Sequence, residues 1–357
     1  MAIYIPMVVL STFFMWMACH VKRKQKIICL SISLVIPVLV AMFRYNNGAD
    51  YLMYLRMMKL AEQSGSSFAS FSALKDIELG FWSLLKFCGF LWHGHYFLTY
   101  GLIALIICGF ISAAIWQNSV NPTLSVYLLF ATGLYFDEYN ALRQYIAVAI
   151  IVYAYKHMLK GEFKKYLIAV AIALFFHYSA VITIPFYFIR YFNANLKRAC
   201  ISALSCIVGG AIFYSLVSFI LSFTRYKYFL TSVEWEAQTQ TSAILFTSVI
   251  STVSYVYIAW GRKKVSESFQ IMMNIQLLPL CIALLSMTIP ITWRVLYYVL
   301  PFEIFYIPAF LQEVRSKNAR MIFLGIFIVM YTAITIWGVT QNNWYNVVPY
   351  NYYFDFM

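Results

Sequence analysis

The sequence predicts an all-α, polytopic integral membrane helical bundle of about ten to twelve transmembrane helices. Composition carries the prediction: of 357 residues, 63% are hydrophobic, only 11% are charged, and the mean hydropathy is +0.75. A soluble domain carries roughly a quarter charged residues. The apolar residues also fall into successive runs close to the roughly 20 residues that cross a bilayer. No polar stretch is long enough to form a soluble domain, a disordered region or a coiled coil. Residues 1–357 are therefore read as a single integral membrane domain.

The first apolar run, 2–19, precedes its positive charges (His20, Lys22, Arg23, Lys24 and Lys26). A cleavable secretory signal has the reverse order, so this run is read as a retained span with its N-terminus outside. Further spans are expected near 27–43, 96–116, 122–138, 140–158, 199–220, 241–260, 270–289, 292–311 and 320–340. Two segments do not fit simple spanning. The long loop 44–95 contains the run from Glu78 to Leu91, which is short and carries Lys86 in its middle. It is expected to lie on, or dip into, the outer face as an amphipathic or re-entrant helix. The segment 164–190 has basic residues at both flanks, which places both ends in the cytoplasm. It is read as a hairpin of two short helices with its tip near His177, each arm roughly 18–20 Å long at 1.5 Å per residue.

Charge agrees with this topology. The cytoplasmic loops hold seventeen Lys and Arg against Glu162, Glu267 and Glu313, the outer side holds nine basic and nine acidic residues, and Glu303 lies within a span. The whole net charge of +13 is thereby an orientation signal, and no nucleic-acid partner is inferred from it. The seven cysteines sit almost entirely in apolar runs without metal-ligand spacing, so neither disulfides nor a metal site is expected.

Four outer-face features could carry chemistry. Arg44 stands at the mouth of the second span in Arg44-Tyr45-Asn46-Asn47-Gly48-Ala49-Asp50, with Gly48 permitting a tight turn and Asp50 placed to cap the next helix. The competing reading is a snorkelling arginine with an N-cap aspartate. Asp137-Glu138-Tyr139-Asn140-Ala141-Leu142-Arg143-Gln144 joins two spans. Its arginine suits a phosphate, and its amides and carboxylates suit a sugar, against the alternative of a polar turn with a local ion pair. His177, after Phe175 and Phe176, is either a packing residue or a proton-transfer group. Arg294, after Pro290 and Thr292-Trp293, begins a span where the helix N-terminus adds positive charge, or else is an interfacial anchor. An anionic headgroup is the simplest ligand shared by these groups. The loop Glu234-Trp235-Glu236 and the tail from Trp344-Tyr345 to Tyr352-Tyr353-Phe354-Asp355 are candidate sugar contacts, or interface markers.

The chain resembles the EpsG/Wzy-type polymerases of bacterial exopolysaccharide, capsule and O-antigen. The residues that carry the resemblance are Arg44 to Asp50 with Tyr54, Glu78-Leu-Gly-Phe81, Asn140-Ala-Leu-Arg143-Gln144-Tyr-Ile-Ala147, Phe176-His177-Tyr-Ser179-Ala180, and Arg294 with Tyr297 and Tyr298. Their order matches over about residues 1–310. The resemblance implies a membrane glycosyltransferase that joins undecaprenyl-pyrophosphate-linked oligosaccharide repeat units at the outer face of the cytoplasmic (inner) membrane. It implies no cofactor or metal, and as partners the lipid bilayer and the chain-length regulator and flippase of the same pathway. Pyrophosphate binding falls to Arg44, Arg143 and Arg294, and glycan binding to Asn140, Gln144, Tyr297 and Tyr298. The base or acceptor-orienting role falls to His177, with Glu78, Asp50 and Glu138 as competitors. A lipid-linked oligosaccharide flippase and a membrane acyltransferase acting on surface glycan are the alternatives.

Overall fold

A computed structural model describes residues 1–64, 77–223, 241–260, 265–289, 292–341, 343 and 345–356. Lys75, Arg225, Lys227, the Glu234 to Glu236 loop, Arg262, Lys263, Lys264, Pro290 and Trp344 lie outside the described residues. The architecture is helical; among the described residues the only extended pairing is an isolated bridge between Arg44 and Tyr352. Among the described residues five helical segments are long and apolar enough to cross a membrane: Arg23–Met42, Tyr96–Asn118, Glu267–Leu285, Thr292–Glu313 and Lys317–Thr340. A bent pair, Leu196–Gly210 with Ile212–Ile220, makes a sixth if counted as one span. The chain is a multi-pass membrane protein. Its residues gather into two compact units, 1–181 with 314–357, and 182–313.

In the first unit, α1 (Tyr4–His20) packs on α2 (Arg23–Met42). Residues 44–95 then contribute α3 (Tyr51–Gln63) and α4 (Leu79–Trp92), which pack on each other. Helix α4 buries Phe81, Leu85 and Cys88, one stripe at helical spacing, while Phe87, Phe90 and Leu91 stay exposed. A helix that is apolar on its outward side as well suits a lipid boundary. Helix α5 (Tyr96–Asn118) contacts α2, α4 and α8 (Leu142–Leu159). Thirteen of the eighteen residues of α8 are buried, which makes it the centre of this unit. Helix α9 (Phe163–Leu174) packs along α8, and α14 (Lys317–Thr340) returns to lie on α6 (Pro122–Ala131). Helix α6 starts with Pro122 after Asn121, whose side-chain oxygen accepts from the Leu124 N–H at 3.1 Å.

The expected span 122–138 is broken. Helix α6 stops at Ala131, Gly133 takes a left-handed φ of 83°, and only a short turn, α7 (Leu134–Asp137), follows. The physical reason is the glycine, which adopts this conformation without the steric penalty of a Cβ. Hydropathy could not signal the break, because Leu134, Tyr135 and Phe136 keep the run apolar. The segment 164–190 begins as expected with the twelve-residue α9 and a turn before His177. Its second arm is not α-helical but two 3-10 segments, Tyr178–Thr183 and Pro185–Tyr191. Pro185, lacking an N–H, opens the second of these.

In the second unit, α10 (Leu196–Ser222), α11 (Thr241–Trp260) and α13 (Glu303–Glu313) surround α12 (Glu267–Leu285). Asn274, fully buried on α12, donates to the carbonyls of Ile189 and Phe192 and accepts from the Ala194 N–H, which satisfies backbone left open by the 3-10 segment. Thr292–Tyr298 is a 3-10 helix, followed by a second at Leu300–Phe302 that contains Pro301, and the α-helix begins only at Glu303. Arg294 therefore does not open an α-helix, contrary to the sequence expectation, because Pro301 cannot supply the N–H that a continuous helix needs there.

Candidate active site

Glu78 is the hub of the first unit's polar cluster. It occupies the residue before α4 but makes no capping bond; its carboxylate turns to two partners far away in sequence. Oε2 accepts from Arg143 Nη1 at 2.8 Å, and Oε1 pairs with His177 Nδ1 at 2.9 Å. Oε1 also accepts from the Tyr178 N–H at 3.4 Å. Arg143 donates to the Tyr54 hydroxyl as well. The carboxylate is 1% exposed, whereas the side chains of Arg143 and His177 are 20% and 14% exposed. The anion is thus sealed inside, and its two partners are the more exposed members of the cluster. Burial alone would raise the Glu78 pKa, but the His177 hydrogen bond and the Arg143 charge outweigh it and hold the carboxyl below its usual range.

Close backbone approach brings this cluster together. The Gly80 N–H donates to the Phe175 carbonyl at 2.7 Å, and a Cβ on Gly80 would stand 2.6 Å from that oxygen. Only glycine lets the start of α4 touch the end of α9, and that touch places Glu78 beside His177. Gly48 does the same for the next element. It has φ of 99°, and a Cβ there would lie 2.7 Å from the Tyr139 carbonyl oxygen, so the 44–50 loop rests directly on the turn that leads into Arg143.

Arg44 lies in a second cluster. It is 1% exposed, with its guanidinium carbon 3.9 Å from the Tyr139 ring centre and 4.9 Å from that of Tyr100, and Tyr100 stacks on Tyr51 at 4.7 Å. Its Nη1 donates to the Ala41 carbonyl at 3.3 Å, while Nε and Nη2 have no hydrogen-bond partner. The cation is held by aromatic faces rather than presented at a surface. Glu138, 2% exposed, is close enough to feel the Arg44 charge; burial nevertheless pushes its carboxyl up to about 8.

Asp50 stands at the N-cap position of α3, as expected, but its side chain makes no capping bond. Asn140 has both ends of its amide engaged: Oδ1 accepts from the Ala49 N–H at 2.5 Å, and Nδ2 donates to the Tyr345 carbonyl at 3.2 Å. Gln144 is buried in the first turn of α8. In the second unit, Arg294 is half-buried with its guanidinium carbon 5.3 Å from the Trp293 ring centre; Tyr297 meets Trp293 edge-on, and Tyr298 is buried.

The structure therefore brings Glu78, His177 and Arg143 together and encloses Arg44 and Glu138 in a neighbouring polar core. Sequence reasoning gave no role to Phe175, whose carbonyl fixes Gly80, nor to Tyr100, which cages Arg44. A glycine at the head of an apolar helix was the available signal for the first; nothing in the sequence marks the second. Residues 27–352 match the model of the EpsG family. No curated protein and no solved structure matches the chain.

Proposed function

The chain belongs to the EpsG family, and from that membership together with the Glu78 hub we propose that it is a polysaccharide polymerase. In this reading it joins oligosaccharide repeat units carried on undecaprenyl pyrophosphate, at the outer face of the cytoplasmic membrane. The observation that carries the reading is one buried carboxylate gripping both an arginine and a histidine, whose side chains are 20% and 14% exposed.

The chemistry follows from that grip. With Glu78 held as a carboxylate, the histidine nitrogen beside it is the one that carries hydrogen, which makes His177 Nε2 the basic nitrogen. Nε2 takes the proton of the acceptor sugar hydroxyl as its oxygen bonds to the anomeric carbon of the donor chain. The bond from that carbon to the pyrophosphate oxygen breaks, and the departing lipid diphosphate carries its charge away beside the Arg143 guanidinium. Glu78 acts by positioning both groups. Glu138 is sealed from solvent, with burial pushing its carboxyl up, so His177 is the better placed base. Arg44 contributes positive potential from beneath the 44–50 loop.

Glycan gel profiling of a deletion strain complemented with wild-type or variant chains tests this. Arg143→Ala and His177→Ala, at normal membrane levels, are expected to collapse the ladder to single repeat units. Full-length glycan in both variants overturns the proposal. Units accumulating on the cytoplasmic face favour a flippase instead, and loss of acetate label from full-length glycan favours an acyltransferase.

A further inference from the structure

The C-terminal tail after α14 is tied to the 43–50 loop and the 139–143 turn more densely than an interface-marking aromatic segment requires. Asn47 alone makes three bonds to it: Nδ2 donates to the carbonyls of Val347 at 3.0 Å and Pro349 at 2.7 Å, and Oδ1 accepts from the Asn351 N–H at 2.9 Å. Backbone bonds run alongside, from the Tyr45 N–H to the Asn351 carbonyl at 2.9 Å, from Gly48 N–H to Asn346 at 2.7 Å, and from Tyr353 N–H to Phe43 at 2.8 Å. Asn47 is 2% exposed, so these bonds are made away from competing water. On the other side of the loop, Asn140 bonds Ala49 with one end of its amide and Tyr345 with the other. Tail, loop and turn thus form one hydrogen-bonded layer, and the turn continues within three residues into Arg143.

We propose that residues 345–353 are a non-covalent strap that positions the catalytic groups, with Asn47 and Asn140 as its positioning residues. The strap holds the loop that carries Gly48 against Tyr139 and so sets where α8 begins and where Arg143 reaches Glu78. This inference rests on the polymerase reading for its catalytic consequence. It also reassigns Asn140 and the tail backbone from sugar contact to bracing, because their polar groups are already spent inside the protein.

The test compares full-length chain with Asn47→Ala, Asn140→Ala and a truncation after Thr340, all purified in lipid nanodiscs. Two measurements are made: polymerisation of a lipid-linked repeat unit, resolved into kcat and KM, and amide hydrogen exchange. In the asparagine variants kcat is expected to fall about 10- to 100-fold, the effect of sub-ångström to 1 Å misplacement, with KM for the lipid-linked unit unchanged. Exchange is expected to accelerate in 43–50 and 137–143, while α12 in the second unit is unaffected. A rise in KM at constant kcat makes the tail a glycan contact and overturns the inference, as does unchanged exchange in both segments. The exchange measurement needs no turnover, so an inactive wild-type chain would refute the polymerase reading and still decide the strap. Should the truncated chain fail to reach the membrane, the single-asparagine variants decide alone.

Discussion

Replacing Glu78 with glutamine tests the site most directly, because it preserves shape and removes only charge. The carboxylate serves Arg143 with one oxygen and His177 with the other, at 2.8 and 2.9 Å. Glutamine has a single acceptor oxygen, so in either flip one of the two cationic or hydrogen-bearing partners faces an NH2 group. A hydrogen bond to a charged group is worth about 1.5–3 kcal/mol and a neutral one about 0.5–1.5 kcal/mol. Losing one bond and neutralising the other amounts to about 2.5–4.5 kcal/mol by the same measure. If that loss falls on the transition state, the rate drops roughly 70- to 2000-fold at 1.36 kcal/mol per decade. Fold stability suffers less than the roughly 3–5 kcal/mol of severing a fully buried pair, because the Arg143 side chain is 20% exposed and can rehydrate. The assay is in vitro chain extension of purified Glu78→Gln with a lipid-linked unit, alongside membrane quantification. A variant that extends chains at the wild-type rate refutes the argument that the hub organises the site.

Other expectations follow from the same geometry. Arg143→Lys keeps the charge but cannot reach Glu78 and the Tyr54 hydroxyl with one planar fork, so glycan chains shorten sharply while expression holds; a wild-type ladder on gel contradicts this. Gly80→Ala puts a methyl 2.6 Å from the Phe175 carbonyl oxygen, an overpacking cost of about 1–3 kcal/mol, and is expected to lower the melting temperature and abolish polymer together; an unshifted melt would show that α4 and α9 do not touch there. For Glu138, the folded carboxyl is raised from 4.5 to about 8, so its contribution to stability is complete below pH 4.5 and is lost as pH climbs through about 8. Glu138→Gln is expected to flatten that decline between about pH 4.5 and 8 in detergent melts while leaving activity near neutrality intact, and parallel wild-type and variant melting profiles across this range would refute the assignment.

Helix positions were legible because long apolar runs leave few alternatives in a bilayer. Helices α2, α5, α8 and α14 coincide with the expected spans to within a few residues. What hydropathy cannot report is the type of helix: the 3-10 geometry of 178–191 and 292–302 has the same apolar composition as an α-helix, and Pro185 and Pro301 do not mark it, because Pro37, Pro279 and Pro308 stand inside α-helices. Glu78, Arg143 and His177 are each singled out by the sequence, but their pairing is not. Glu78 and His177 are 99 residues apart, and their meeting depends on a backbone contact between Gly80 and Phe175. Arg44 misled in the opposite direction. An arginine at a helix mouth reads as solvent-facing, yet tyrosines distributed over α3, α5 and the 138–141 turn converge to enclose it.

The strap also imposes an order in time on the making of this protein. Asn47 and the Pro349 carbonyl that it bonds are 302 residues apart. At about 5–20 residues per second of synthesis, the loop leaves the ribosome roughly 15 to 60 s before its partner exists. Until then Asn47 and its neighbours wait in the membrane without the bonds that the tail supplies.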